Sequence, residues 1–153
     1  MSAEAKAYLS SFNMHLYDST VPSGNAYKVH LLLSQLGTHY TVTSLNILPP
    51  ASESHRPDFL AINPNGKVPA LKLDNGSVLS ESNAILFYLA EGTPYLPDDN
   101  VERAQVLQWM FFEQFSHEPY VVCSTYRRKM AMTYVLRRSG NSGPTGPLMA
   151  FLT

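Results

Sequence analysis

The residues best suited to chemistry stand where predicted helices and strands begin. Ser82 opens a predicted helix, so its hydroxyl and the free N–H groups of the first turn could bind a carboxylate. Glu81 precedes it and could pair with an ammonium group. The alternative is an ordinary helix start, with Ser82 as the cap and Glu81 solvated. These two residues therefore predict either a binding site for a charged ligand or a helix cap.

Two further positions could contribute to a site. Pro69 falls inside an apparent strand, where its missing N–H would interrupt the ladder of hydrogen bonds, unless it lies on an edge strand. Ser23 and Asn25 lie between the first predicted strand and the first predicted helix. Each could donate a hydrogen bond to an anion at the positive end of that helix, or merely cap it.

Periodicity along the chain predicts the elements that must hold these residues. They are a strand at 12–17, a helix at 26–36, a strand at 39–47, a short helical piece at 57–62, a hairpin at 68–73 and 77–80, and a helix at 83–91. Gly37 ends the first helix, and the turn of the hairpin is Asp74-Asn75-Gly76. A segment rich in turn residues, 92–100, precedes a long helix from Val101 to Glu118 that Pro119 ends. The order βαβαββα predicts an α/β domain with a mixed four-stranded sheet, followed by an incomplete all-α domain.

Composition excludes several classes of function. The chain has 153 residues, 11 basic and 12 acidic side chains and a net charge of −1, so no bulk field would attract nucleic acid. No stretch approaches the roughly 18 apolar residues of a membrane span. The one cysteine, Cys123, cannot form an internal disulfide and is interpreted as an inert buried thiol. These features predict a cytoplasmic protein with no membrane partner and no metal site.

Three motifs then resemble a known family. They are Ser23-Gly-Asn-Ala-Tyr-Lys-Val29, Asn63-Pro-Asn-Gly-Lys-Val-Pro-Ala-Leu71 and Leu79-Ser-Glu-Ser-Asn-Ala-Ile-Leu86. In this order and at this spacing they resemble the thioredoxin-like domain of cytosolic glutathione S-transferases, and the stretch from Arg103 to Gln114 resembles the first helix of the family's α-domain. The resemblance covers roughly residues 12–122 and is greatest to the bacterial and fungal Nu-like group. It implies a thioredoxin-like fold and glutathione as cosubstrate.

The resemblance also implies how glutathione would be held. Glu81 would pair with the γ-glutamyl ammonium, and Ser82 would bind the γ-glutamyl carboxylate. A cis bond before Pro69 would turn the main chain of Val68 toward the cysteinyl backbone of glutathione. For the glycyl carboxylate the sequence offers Lys67, and in the preceding connection the neighbouring pair His55 and Arg56.

The residues that stabilise the thiolate are predicted from the same motifs. Ser23 and Asn25 match the positions where the Nu-like group has a hydroxyl residue and an asparagine, so they are the catalytic candidates. Tyr17 occupies the strand end where other classes place a catalytic tyrosine, but it is interpreted as a flanking residue. Ser19 and Thr20 are further candidates.

The predicted second substrate is a small hydrophobic electrophile. It would lie against the first helix of the α-domain, where four side chains could line a pocket: Met110, Phe111, Gln114 and His117. An aromatic stripe at helical spacing is more often core than site, and that interpretation is favoured here. The predicted function is a glutathione S-transferase that forms a homodimer, and the alternative is a glutathione-binding regulatory protein.

The predicted organisation has four parts. A glutathione-binding domain at 10–91 is followed by a linker at 92–100, a partial helical domain at 101–138 and a disordered tail at 139–153. Residues 124–153 carry five basic and no acidic side chains and do not resemble the helices of the family, which predicts a C-terminally truncated member.

Overall fold

Within the described part of the chain, a four-stranded sheet organises the fold. The computed structural model describes residues 13–121. The strands are β1 (Met14–Ser19), β2 (Tyr40–Leu45), β3 (Ala70–Lys72) and β4 (Val78–Ser80), in the spatial order β2-β1-β3-β4. β1 and β2 are parallel, whereas β3 is antiparallel to both β1 and β4. The predicted mixed sheet is therefore confirmed.

The helices occur in the predicted order. They are α1 (Gly24–Leu36), α2 (Pro57–Leu60), α3 (Ser82–Ala90) and α4 (Asn100–Phe112), with a 3₁₀ turn (Glu53–His55) before α2 and a π-helical segment (Glu113–His117) after α4. The element order βαβαββα is confirmed, and the architecture is the thioredoxin-like fold.

Helix α1 has a defined start and stop. The hydroxyl of Ser23 accepts a hydrogen bond from the Ala26 N–H at 3.3 Å, so Ser23 rather than Asn25 is the cap. At the other end Gly37 adopts φ 65°, a left-handed conformation that glycine tolerates without steric cost, and the helix ends there as predicted. Both signals were readable in the sequence.

The core lies where α1 and α3 pack against each other beside the sheet. Its largest fully buried side chains are Met14, Leu16, Val29, Leu33, Leu71, Ile85 and Leu89. In β1 the side chains of Met14 and Leu16 are buried while His15 and Tyr17 are half-buried, which is the alternation that the sequence predicts.

Several predicted boundaries differ from those of the structure, and two of the differences have a clear physical cause. Strand β3 begins at Ala70 rather than Val68, because Pro69 has no N–H to donate to a neighbouring strand. Pro119 does not end the last helix, which continues through Val121. The Glu118 N–H donates to the Glu113 carbonyl five residues earlier, and this wider π turn relieves the clash that a proline ring makes with a regular helix.

The described residues fall into two compact units. Residues up to Ala104 belong to the first and residues from Gln105 to the second. Between residues 13 and 121 no helix is both long enough and apolar enough to cross a bilayer. The predictions for Phe12, Cys123, the end of the helical domain and the tail at 139–153 lie outside the described residues.

Candidate functional site

The strand register brings the predicted site residues to one edge of the sheet. Tyr17, near the end of β1, is paired with Ala70 at the start of β3, and Ala70 is paired in turn with Ser80 at the end of β4. The segment after β1, the residues before β3 and the residues after β4 therefore meet at this edge. Those three segments carry nearly all of the residues that the sequence singles out.

Asn25 and Ser82 are in direct contact. The Ser82 hydroxyl donates a hydrogen bond to the Asn25 side-chain oxygen at 3.3 Å, across 57 positions of the sequence. Ser82 is buried and is the first residue of α3, whereas Asn25 is half-buried in the first turn of α1. The contact joins the N-terminal ends of two helices, where both helix dipoles favour an anion.

Glu81 has an unusual backbone conformation. It precedes α3 with φ 66° and ψ 112°, in a region that residues with a Cβ rarely occupy, and its side chain makes no capping hydrogen bond. The side chain is exposed. Of the two sequence interpretations, the capping one is wrong in detail: Glu81 occupies the cap position, and Ser82 lies inside the helix with its hydroxyl directed to Asn25. Backbone strain of this kind is concentrated at functional sites.

The main chain beside Pro69 is open for pairing. The Val68–Pro69 bond is cis, as expected, and Pro69 is buried. Val68 is half-buried just before β3, and within residues 13–121 its N–H and C=O make no hydrogen bond to the protein. Polar main-chain groups at such a position normally have a partner.

His55 lies against Gly66, the residue before Lys67. Gly66 has φ 61°, and a Cβ built there would lie 3.1 Å from the Ser54 carbonyl oxygen and 3.2 Å from Cδ2 of His55. Both Lys67 and His55 are exposed, and the His55 ring also contacts the Ser54 hydroxyl at 3.2 Å. The neighbouring Arg56 pairs with Glu53 at 3.3 Å.

Asn63 holds this loop, a role that the sequence interpretation missed. It is 3% exposed, its side-chain nitrogen donates to the Lys67 carbonyl at 2.7 Å, and its side-chain oxygen accepts from the Asn65 N–H at 3.2 Å. The available signal was its place in the motif from Asn63 to Leu71. A buried asparagine must have hydrogen-bond partners, and loop main chain is the usual one.

The segment after β1 borders an open groove of about 520 Å³. The polar side chains that line it belong to Asp18, Ser19, Thr20, Ser23, Tyr27 and His30. Ser19 is buried and its hydroxyl accepts from the Val21 N–H at 3.1 Å, while the Thr20 N–H donates to the Leu45 carbonyl at 2.9 Å. Tyr17 lies outside this groove and packs edge-on against Phe59, with 5.5 Å between ring centroids, which fits a flanking role.

The candidate electrophile-binding residues lie in the second unit. Phe111 is 71% exposed, and no residue of Asn100–Phe112 is buried, so the interpretation of this stripe as core is wrong for the described helix. An aromatic stripe becomes core only when a second helix packs on it. Met110, Gln114 and His117 are part of the same stretch, and their role in binding stays a prediction.

Comparison with known proteins finds relatives of the first unit. Residues 22–91, which contain Ser23, Asn25 and all the candidate glutathione-binding residues, match the family model of the glutathione S-transferase N-terminal domain. A crystal structure of a possible glutathione S-transferase from Rhodopseudomonas palustris is 48% identical with a TM-score of 0.69, covering 74% of this chain and 57% of that one.

Fungal regulators of the same fold are also similar. The transcriptional regulator URE2 of Saccharomyces cerevisiae is 37% identical over 107 residues, which are 63% of this chain and 29% of the regulator. The structure of Ure2p in complex with glutathione is 33% identical with a TM-score of 0.64, covering 70% of this chain and 51% of that one. The chain thus spans just over half of these structures and under a third of the curated regulator. Residues 22–91 are thus similar to the N-terminal domain of glutathione S-transferases, and the fold is thioredoxin-like.

Proposed function

We propose that this chain binds glutathione at the sheet edge described above and stabilises its thiolate for attack on a small hydrophobic electrophile, a disulfide or a peroxide. The observation that carries the proposal is the Asn25–Ser82 hydrogen bond, because it joins a candidate thiolate donor to a candidate γ-glutamyl carboxylate ligand. The protein would act in the cytoplasm as a homodimer, as the family resemblance implies.

The γ-glutamyl end of glutathione carries an ammonium and a carboxylate, and the start of α3 offers a partner for each. The exposed carboxylate of Glu81 suits the ammonium. The N–H groups of the first turn suit the carboxylate, and so does the Ser82 hydroxyl once its proton turns from Asn25 to the ligand, with the helix dipole adding to the attraction. The strained conformation of Glu81 supports a binding role, since an ordinary cap does not require it.

The middle of glutathione is a peptide, and Val68 offers it a main chain to pair with. An extended peptide lying antiparallel to Val68 would donate to its carbonyl and accept from its N–H, as in the addition of a strand to a sheet edge. This pairing would supply the partners that the Val68 main chain lacks within residues 13–121. The glycyl carboxylate would then lie toward Lys67 and His55.

The reactive group is the cysteinyl thiol, whose pKa of about 8.5 leaves it mostly protonated at neutral pH. A donor at the N-terminus of α1 would lower that pKa by stabilising the thiolate. The Ser23 hydroxyl accepts the Ala26 N–H and has its own proton to donate, and the side chain of Asn25 ends in an amide, a group that donates through N–H. Glutathione supplies the nucleophile, and the protein's part is to orient it and to keep it ionised.

A second candidate is a glutathione-binding regulator without turnover. The similarity to the transcriptional regulator URE2 favours it. Both candidates use Val68, Glu81 and Ser82, so binding alone does not separate them. Turnover does.

Calorimetric titration with glutathione, followed by assays with an aryl halide and with an organic hydroperoxide, tests the proposal. We expect Glu81→Ala to weaken glutathione binding by about tenfold or more, because an ammonium would lose its ionic partner. Asn25→Ala should lower turnover by about tenfold and change the affinity by less than about threefold, because its contact is with the thiolate.

The matched control is Glu102→Ala, which removes an exposed carboxylate from the first turn of another helix. It should leave both affinity and turnover unchanged. Equal loss of affinity in Asn25→Ala and Glu81→Ala would refute the division of roles. Binding without turnover on either substrate would favour the regulator, and failure of the wild type to bind glutathione would refute both candidates.

A further inference from the structure

A hydrogen-bonded network of three side chains lies beside the candidate thiolate donors and has no part in the function proposed above. His30 of α1 contacts Asp18 through Nε2 at 2.8 Å and Tyr40 through Nδ1, also at 2.8 Å. Asp18 belongs to β1 and Tyr40 is the first residue of β2, so the three side chains tie two strands to one helix. The side chains of His30 and Asp18 are 27% and 19% exposed.

The chemistry of the three groups limits where their protons can lie. A carboxylate only accepts, so the His30 Nε2–H donates to Asp18, and in the neutral form of the ring the bare Nδ1 then accepts from the Tyr40 hydroxyl. Burial, and secondarily the charge of Asp18, raises the pKa of Tyr40, which keeps that hydroxyl protonated and able to donate. Every member of the chain is thereby satisfied.

The hydrogen-bonded network continues into the segment that leads to Ser23. The second oxygen of Asp18 accepts the Ser19 N–H, and the Ser19 hydroxyl accepts the Val21 N–H at 3.1 Å. The Thr20 N–H is fixed to the Leu45 carbonyl of β2. One carboxylate therefore fixes both the His30 ring and the first peptide of the segment from Ser19 to Pro22.

We propose that Asp18, His30 and Tyr40 are positioning residues that set the Ser19–Pro22 segment and so hold Ser23 and Asn25 against the glutathione sulfur. This inference rests on the proposed glutathione site. His30 lies seven residues after Ser23 on α1, so a tether at His30 fixes the helix that carries both donors, while Asp18 fixes the chain that enters it. Donors aimed at a thiolate lose their effect when displaced by a fraction of a bond length.

The test is the pH titration of the thiolate absorbance of bound glutathione, measured on the wild type, Asp18→Asn and Tyr40→Phe. Asp18 accepts from His30 and from the Ser19 N–H through its two different oxygens, so asparagine keeps an acceptor for one of them and turns an N–H donor toward the other. We expect the midpoint of Asp18→Asn to rise by about half a pH unit or more, with the affinity for glutathione within about twofold of wild type. Loss of a negative charge alone would move the midpoint downward, so the direction separates positioning from a simple charge effect.

Tyr40→Phe keeps the charge and the ring and should raise the midpoint in the same direction. His15→Asn is the matched control, because His15 also joins β1 to β2, through Thr41 at 2.6 Å and Thr43 at 2.8 Å, without touching the Ser19–Pro22 segment. Its midpoint should equal that of the wild type, and thermal unfolding should report that all four proteins are folded.

Three outcomes would overturn the inference. A wild-type midpoint in both Asp18→Asn and Tyr40→Phe would refute it and leave the proposed function standing. An equal shift in His15→Asn would assign the effect to general stability and refute it as well. A wild type that binds glutathione without a thiolate signal would refute the proposed chemistry and, with it, this inference.

Discussion

At the scale of single residues, Ser23 is proposed to do two things with one hydroxyl. Its oxygen caps α1 by accepting the Ala26 N–H, and its proton is free to reach the glutathione sulfur. Ser23→Ala should therefore lower the free energy of unfolding by about 1 kcal/mol through loss of the cap. Ser23→Asp keeps an acceptor at the cap but places a negative charge beside the thiolate, so it should retain stability and raise the pKa of bound glutathione.

Urea unfolding and the thiolate titration measure these two effects separately. Ser77→Ala is a suitable control, since Ser77 is exposed and its change should cost less than about 0.5 kcal/mol. If Ser23→Asp ionised glutathione as readily as the wild type does, Ser23 would be a cap alone, and Asn25 would remain as the donor.

The sequence predicted residue types at this site better than it predicted their contacts. Ser23, Asn25 and Ser82 were readable because each stands at a helix start, where capping and anion binding use the same residues. The Asn25–Ser82 bond was not readable, because 57 positions separate its partners and only the strand register brings them together. The role of Asn63 was missed because its side chain bonds the main chain of the loop rather than a ligand group.

At the scale of elements, the loop from Asn63 to Lys67 depends on one glycine. Gly66 has φ 61° and is enclosed by Ser54 and His55, so an added methyl group would meet both a strained backbone and main-chain atoms at 3.1 Å. Gly76 in the β3–β4 turn also has a positive φ, 84°, but nothing lies within 4 Å of its Cβ position. The two glycines therefore separate conformational strain from crowding.

Gly66→Ala should lower the free energy of unfolding by about 2 to 3 kcal/mol, and Gly76→Ala by about 1 kcal/mol. Gly66→Ala should also weaken glutathione binding. Gly66 precedes Lys67 and lies against the His55 ring, so a shift at Gly66 would displace both candidate ligands of the glycyl carboxylate. Denaturant unfolding and calorimetric titration measure the two effects. Equal destabilisation by both substitutions would mean that the contacts around Gly66 yield freely and do not shape the site.

The end of the last helix illustrates what local sequence rules leave out. Proline is expected to break a helix, yet the described chain remains helical through Pro119 to Val121. The rule assumes the regular spacing of four residues between bonded groups, and the Glu113–His117 segment adopts the wider π spacing instead. Strand and helix types followed from periodicity, whereas this local change of spacing had no readable signal.

At the scale of the whole molecule, the fold collects groups from distant elements into two sets. The sheet register gathers the candidate glutathione-binding residues at one edge, and α1 joins β1 to β2 through Asp18, His30 and Tyr40. The first set could be predicted because its motifs are contiguous in sequence. The second could not, since each member comes from a different element and none of the three residue types is unusual where it stands.

Tyr40 should make the free energy of unfolding of the whole protein decrease as the pH rises above 10.0. The pKa of Tyr40 in the folded protein is raised above its usual 10.0, first by burial and then by the charge of Asp18. A raised pKa means that the folded state binds the hydroxyl proton more tightly than the unfolded state does. The resulting stabilisation is fully present below pH 10.0 and is lost as the pH rises through the folded-state pKa.

The difference in the free energy of unfolding between the wild type and Tyr40→Phe isolates this contribution, because all other alkaline groups are common to both proteins. We expect that difference to be constant from about pH 8 to about pH 9.5 and to shrink between about pH 10 and about pH 11.5. Urea unfolding at each pH measures it. A difference that stayed constant or grew above pH 10 would mean that burial and the charge of Asp18 do not raise the pKa of Tyr40 in the folded protein.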